Sequence, residues 1–226
     1  MARSRGVVAG AVTLFAVLIL SSVTSTPLGR AAGEPAFDCK KVHRGNAAVN
    51  PNPKGRAPVA IGDSTMILPI PNLDAVGFSV NARGCRGFKE GVNIARKLKA
   101  KGRLPHLVMI NAYGNGGVNP GLISEALDVL GKTRVLGLLT AYDADTGHPP
   151  APDTNVIFNA AKRHPHQIFV LDWVKYSLPH HAAEPTPDAW FLPDLFHPNY
   201  TGADAYANFI AQALPLAKNG HFPPLP

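Results

Sequence analysis

The stretch His106-Leu107-Val108-Met109-Ile110-Asn111-Ala112-Tyr113-Gly114-Asn115-Gly116-Gly117 decides how this chain folds. Its first half is an unbroken apolar run of strand length, and its second half is a polar loop rich in glycine and asparagine. A strand with one wet face alternates; a run that does not alternate belongs to a strand covered on both faces, as in a parallel sheet. Working outward, similar runs recur at Pro58-Val59-Ala60-Ile61, Gly77-Phe78-Ser79-Val80, Val135 to Leu139 and Ile168-Phe169-Val170-Leu171. Helical patterns separate them. Phe88 to Lys101 carries Val92, Ala95 and Leu98 on one stripe, and Asn119-Pro120 opens a helix that Gly131 ends. Asn155 to Arg163 gives another, and Thr201 to Ala217 a last one after a Pro/His-rich loop from Leu178 to Pro193. This order predicts an α/β fold: a three-layer α/β/α sandwich with a central, mainly parallel five-stranded sheet. In such a sheet the site lies in the crevice at the carboxyl ends of the strands.

The chain has 226 residues, 46% of them hydrophobic and 16% charged, with 22 prolines, 21 glycines and two cysteines. That suffices for one well-buried core, is short for two domains, and excludes both a disordered chain and a disulfide-dense scaffold. Arg3 and Arg5 precede an uncharged stretch from Val7 to Val23, with small residues at Ser25, Ala31 and Ala32. Residues 1–32 therefore read as an export signal peptide, an uncleaved N-terminal anchor being the alternative. Residues 33–57 read as an extended, Pro/Gly/Asn-rich linker, and residues 58–226 as the folded domain, lying outside the cytoplasm. An oxidising compartment permits a disulfide between Cys39 and Cys85.

Formal charge is +7, from 22 Lys plus Arg against 15 acids. Cleavage after Ala32 removes Arg3, Arg5 and Arg30, leaving 19 against 15, or +4. That surplus suits association with an anionic cell envelope and is too diffuse for a nucleic-acid footprint. The dense run from Arg96 to Lys101 reads as the wet face and last turn of a helix.

Four loops carry residues able to do chemistry. Gly62-Asp63-Ser64 follows the first strand, Asn81-Ala82-Arg83-Gly84-Cys85-Arg86-Gly87 the second, and Asn111 to Gly117 the third. Asp194-Leu195-Phe196-His197-Pro198-Asn199 precedes the last helix. An Asp three residues ahead of a His can hold the imidazole through Nδ1–H and leave Nε2 to take a proton from a serine. An asparagine amide among glycines can donate to a developing oxyanion.

Together the four blocks resemble the SGNH hydrolase family, over about Val59 to Ala217. Gly62-Asp63-Ser64 is similar to its nucleophile block, Asp194-Leu195-Phe196-His197-Pro198 with Gly202 to its His block, Gly114-Asn115 to its Asn block and Gly84-Cys85-Arg86 to its Gly block. The first block lacks the leucine of the Gly-Asp-Ser-Leu form, and the third has Gly-Asn-Gly in place of Gly-x-Asn-Asp. These departures lean toward the branch concerned with extracytoplasmic carbohydrate and peptidoglycan O-acetyl groups. The resemblance implies a flavodoxin-like sheet and a secreted serine esterase. In it Ser64 is the nucleophile, His197 the base and Asp194 its partner, and the oxyanion is held by the N–H of Ser64, an N–H of Gly84 or Cys85 and the Asn115 amide. The implied substrate is a small-molecule or glycan acyl ester, plausibly acetyl, with no metal or organic cofactor, no nucleic-acid partner and a monomeric chain. An O-acyltransferase with the same triad, or a silent glycan-binding module of the same fold, are the alternatives.

Outside these blocks, Asp143, Asp145 and His148 form a polar rim short of a metal cage. His164, His166 and His180-His181 read as exposed, the last pair placed to shape a substrate groove, and Trp173, Tyr176, Trp190 and Phe191 as core, lid or sugar-stacking groups.

Overall fold

A computed structural model describes residues 37–112 and 114–219. The chain divides at Gly33, and everything described belongs to the unit Glu34–Pro226. The signal or anchor at residues 1–32 lies outside the described residues; among those described, no helix is long and apolar enough to cross a membrane.

In chain order the elements are β1 (His43–Gly45), β2 (Val59–Gly62), a 3₁₀ turn (Ser64–Met66), α1 (Ile70–Val76), β3 (Ser79–Ala82), α2 (Phe88–Ala100) and β4 (Leu107–Asn111). Then come α3 (Pro120–Leu130), β5 (Val135–Leu139), α4 (Thr154–Arg163), β6 (Ile168–Leu171), α5 (Trp173–Ser177), a 3₁₀ turn (Leu178–His180), α6 (Tyr200–Ala211) and α7 (Leu214–Asn219). One sheet of six strands runs in the order β1-β3-β2-β4-β5-β6. All pairings are parallel except β1 with β3, where His43 faces Ala82 and Gly45 faces Val80.

The unbroken apolar runs are buried strands, as their pattern requires: every residue of β2, β4, β5 and β6 is buried. Side chains alternate between two cores. Ile61, Val108, Ile110, Leu136 and Val170 pack under α2, α3 and α4; Ala60, Met109, Leu139 and Leu171 pack under α1, α5 and α6. Gly137 sits opposite Met109, and a β-carbon there would stand 1.9 Å from the Met109 sulfur, so the thioether fills the room glycine leaves. The Asn119 side chain caps α3 by accepting from Leu122 N–H at 3.0 Å, and Gly131 ends it at φ 72°.

Three expectations need correction. The sheet has six strands rather than five, because His43–Gly45 adds an antiparallel edge. Residues 33–57 are consequently no plain linker: their middle is paired to β3, and Ala48 N–H donates to the Asp74 carbonyl at 2.8 Å. The closing helix is two helices, parted at Gln212–Ala213, with Pro215 in the first turn of the second. Helix α1 also forms, where Pro69 and Pro71 hide the apolar periodicity but are tolerated at a helix start.

Candidate active site

Strand β2 pairs with β3 on one side and β4 on the other, so the sheet's winding reverses beside it. A crevice opens at such a reversal. Gly62, the last residue of β2, pairs with Ala82 and Asn111, the last residues of its neighbours. A β-carbon at Gly62 would lie 2.6 Å from Met66, which is why the turn after it can fold back so tightly.

Beyond Gly62 the chain makes the 3₁₀ turn that carries Ser64. Asp63 caps it: one carboxylate oxygen accepts from Thr65 N–H at 3.0 Å and Thr65 Oγ1–H at 2.7 Å. Both Asp63 and Ser64 are buried. Burial pushes the Asp63 carboxyl above its ordinary range; the Thr65 bonds and the charges of His197 and Arg86 pull it partly back. Asp63 N–H donates to the Asn111 carbonyl at 3.0 Å, and the Asn111 amide donates to Tyr206 Oη at 2.6 Å, tying the Ser64 turn through β4 to α6.

The second block is fixed by Arg86. Its buried guanidinium donates to the carbonyls of Gly62 at 2.7 Å and Asn81 at 2.5 Å, and to the Asn81 side chain at 2.8 Å. It therefore pins the end of β2 to the end of β3, and burial lowers its pKa to about 10. Gly84 is buried and Cys85 exposed, the latter at φ 55° and bonded to Cys39, with Cα atoms 5.0 Å apart. A β-carbon on Gly84 would meet the Phe37 carbonyl oxygen at 2.3 Å, so only glycine lets residues 37–39 cross here.

Glycine contacts bring the third and fourth blocks to the first two. A β-carbon at Gly87 would stand 3.1 Å from the Asn115 carbonyl oxygen. One at Gly114 would stand 2.9 Å from the Phe196 ring and 3.5 Å from Asp63 Oδ2. The Asn115 amide nitrogen is buried without a hydrogen-bond partner among the described residues. Asn199 holds the fourth block in place, accepting from Gly202 N–H at 2.8 Å while its amide donates to the Ala189 carbonyl at 2.8 Å.

Asp194 and His197 form the expected pair. His197 Nδ1 and Asp194 Oδ2 are 2.6 Å apart, and the other carboxylate oxygen accepts from the N–H groups of Phe196 and His197 at 3.0 and 2.9 Å. Partial burial opposes ionisation of Asp194, but these hydrogen bonds win and hold its pKa at about 2. His197 Nε2 is buried and unpartnered among the described residues, so the Ser64–His197 hydrogen bond is the one link of the expected triad that is not formed. The imidazole lies flat against the Phe37 ring, centroids 3.9 Å apart, with the Phe196 ring edge-on at 5.0 Å.

Sequence reading missed the roles of Phe37 and Arg86. Phe37 meets His197 across 160 positions of sequence, where the chain crosses Gly84 beside the Cys39–Cys85 bond, and so has no local signature. For Arg86 the available signal is an arginine set between Gly84 and Gly87 in the loop after β3. The Asp143 loop is a rim: its carboxylate accepts from Asp145 and Thr146 within its own turn, and Gly147 packs on the Asp194 carbonyl. His180 and His181 are half-buried and ring-stacked, on Trp190 and Tyr142 respectively, at 3.9 and 4.1 Å.

No family model matches the chain, and no curated protein matches it in sequence. Among solved structures it is similar to the C-terminal catalytic domain of peptidoglycan O-acetyltransferase A from Streptococcus pneumoniae, seen with a methylsulfonyl adduct. Identity there is 23% and the TM-score 0.57, over 72% of this chain and 94% of that one. It is also similar to an α/β-hydrolase enzyme from the metagenome of Lake Arreo, Spain, at 17% identity and a TM-score of 0.50, over 74% and 98% of the two chains. The likeness to both is one of fold, the mainly parallel α/β arrangement expected from the sequence.

Proposed function

We propose that this chain is an extracytoplasmic serine esterase that removes small acyl groups, acetyl above all, from a carbohydrate or other small alcohol. The observation that carries this reading is the His197 ring: Nδ1 is held by an ionised Asp194, while Nε2 is buried without a partner among the described residues. Buried polar atoms are rarely left unpaired, and one on a carboxylate-held imidazole suits a general base awaiting a proton.

The mechanism requires the Ser64 hydroxyl to meet Nε2. His197 takes the proton, Ser64 Oγ bonds to the ester carbonyl carbon, and the carbonyl oxygen becomes an oxyanion. The Ser64 N–H, an N–H of the Gly84–Cys85 turn and the unpartnered Asn115 amide supply its donors; one such donor is worth about 3–4 kcal/mol. Collapse breaks the carbon–alcohol bond, and the proton on His197 leaves with the alcohol. Water, deprotonated by His197, then releases the acid and restores Ser64. Asp194 supports the imidazolium at both steps. The disulfide supports an oxidising compartment, and the single chain acts as a monomer.

A second reading has one specific support: the pneumococcal neighbour is a peptidoglycan O-acetyltransferase domain. If a sugar hydroxyl replaces water in the second step, the same residues make a transferase. The test is hydrolysis of a chromogenic acetyl ester by the full-length protein and by Ser64→Ala. Turnover should fall by about 10³-fold or more with the circular dichroism unchanged, and methylsulfonyl fluoride should label Ser64 alone. Equal turnover in both proteins would overturn the mechanism. An added glycan acceptor that gains acetyl groups would assign the transferase.

A further inference from the structure

At the opposite end of the sheet, where the strands begin, lies a cleft of about 360 Å³ whose polar lining includes Arg56, His106, Thr133 and Arg134. We propose that this cleft binds a phosphoryl anion and docks the protein, by its strand-entry end, on a linear phosphodiester polymer.

The topology gathers these cations. Arg56 leads into β2, His106 into β4 and Arg134 into β5, and the parallel sheet sets those three entries side by side. Lys54, Arg103 and Lys132 flank them, all exposed. Residues 46–62, 101–106, 131–134 and 162–167, which lead into β2, β4, β5 and β6, contain no Asp or Glu at all. On the adjoining helices, Asp74 stands against Gly45 and Asp128 lies in the last turn of α3. Among the described residues none of Arg56, His106 and Arg134 is in an ion pair. The +4 surplus, diffuse along the sequence, is therefore concentrated at one end of the fold.

Helix C-termini also lie at this end, and cations there offset the helix dipoles. That accounts for Lys97, Lys99, Lys162 and Arg163, and for Arg134 Nη1 on the Leu130 carbonyl at 3.1 Å. It does not account for Arg56 or His106, which lie on no helix. Two guanidinium forks and an imidazole around one concavity match the oxygens of a phosphoryl group. The concavity favours a chain threaded through it over a flat bilayer. Of the large exposed apolar side chains only Val49 lies on the strand-entry loops, too little to insert among acyl chains.

Nothing in this docking depends on acyl transfer at Ser64. Full-length protein should bind immobilised poly(glycerol phosphate), with affinity falling as salt rises and inorganic phosphate competing. Arg56→Glu with Arg134→Glu should weaken binding at least ten-fold while acetyl-ester turnover stays unchanged. Because Arg134 also touches α3, Arg56→Ala with His106→Ala provides a second variant, expected to weaken binding several-fold. Wild-type affinity in both variants would overturn the assignment. So would equally tight binding of polygalacturonate, or binding to phosphatidylglycerol vesicles in an Arg56-dependent way without binding to the polymer.

Discussion

The two ends of this one sheet solve opposite problems. At the strand exits, Asp63, Ser64, Arg86 and Asn111 are buried, Asp63 is hydrogen-bonded to Asn111 and Arg86 to Gly62 and Asn81, and a disulfide joins Cys85 to Cys39. At the strand entries, Arg56 stands exposed and His106 and Arg134 half-buried around a cleft, none of them in an ion pair among the described residues. A parallel α/β sheet makes this difference available, because all its exits and the helix N-termini share one edge while its entries and the helix C-termini share the other. The exit end is built for fixed geometry and the entry end for long-range charge. Substitutions at one end should therefore leave the other's function alone.

The largest expected break is Arg86→Ala. It strips the Gly62 and Asn81 carbonyls of a buried charged donor and should cost about 3–5 kcal/mol in denaturant unfolding. Ester turnover should fall with it, since Ser64 rides on the turn after Gly62. Arg86→Lys should recover little, because an ammonium cannot span three acceptors with a planar fork.

Asn115→Ala sharpens the comparison from the other side, as a loss of chemistry without a loss of fold. Its amide has no partner to give up, so the melting temperature should hold while kcat falls by about 10²–10³. A melting loss as large as that of Arg86→Ala would make Asn115 a structural residue.

The strap over His197 comes next. Breaking Cys39–Cys85, by Cys39→Ser with Cys85→Ser, should lower stability by about 2–4 kcal/mol, given a sequence separation of 46 between the cysteines. Phe37→Ala removes one ring stack of about 0.5–1.5 kcal/mol and should lower kcat by up to about ten-fold. Phe37→Trp should restore it. Polymer binding at the entry end should be unaffected by either change.

What the sequence disclosed follows the same division between local and assembled features. Leu107–Asn111 is legible because its apolar run is buried on both faces, and Asp194 with His197 because three residues separate partners that touch. His43–Gly45 has no such pattern; its pairing with Ser79–Ala82 makes it a strand. The contact of Phe37 with His197 spans most of the chain. The basic end was invisible for a topological reason: Arg56, His106 and Arg134 are far apart in sequence, and only the strand order β2-β4-β5 sets their loops together.

The smallest expected effect concerns pH. Asp194 has a folded-state pKa of about 2, below the unfolded carboxylate value of 3.8. A depressed carboxylate stabilises the fold above the unfolded value, and that contribution is lost as pH falls through the folded one. Asp194 should therefore help fully at pH 5, progressively less below pH 4, and hardly at all near pH 2. The gain is modest, because 47% of the side chain is exposed and solvent screens the pair. Unfolding of the wild type and of Asp194→Asn across this range should give curves that converge on acidification. Curves that stay parallel would mean that the carboxylate's hydrogen bonds persist into the unfolded chain. Turnover between pH 6 and pH 4 should not depend on Asp194, which stays ionised there in the folded protein, so any loss of activity in that range belongs to another group, and Asp194→Asn should lower kcat without moving that limb.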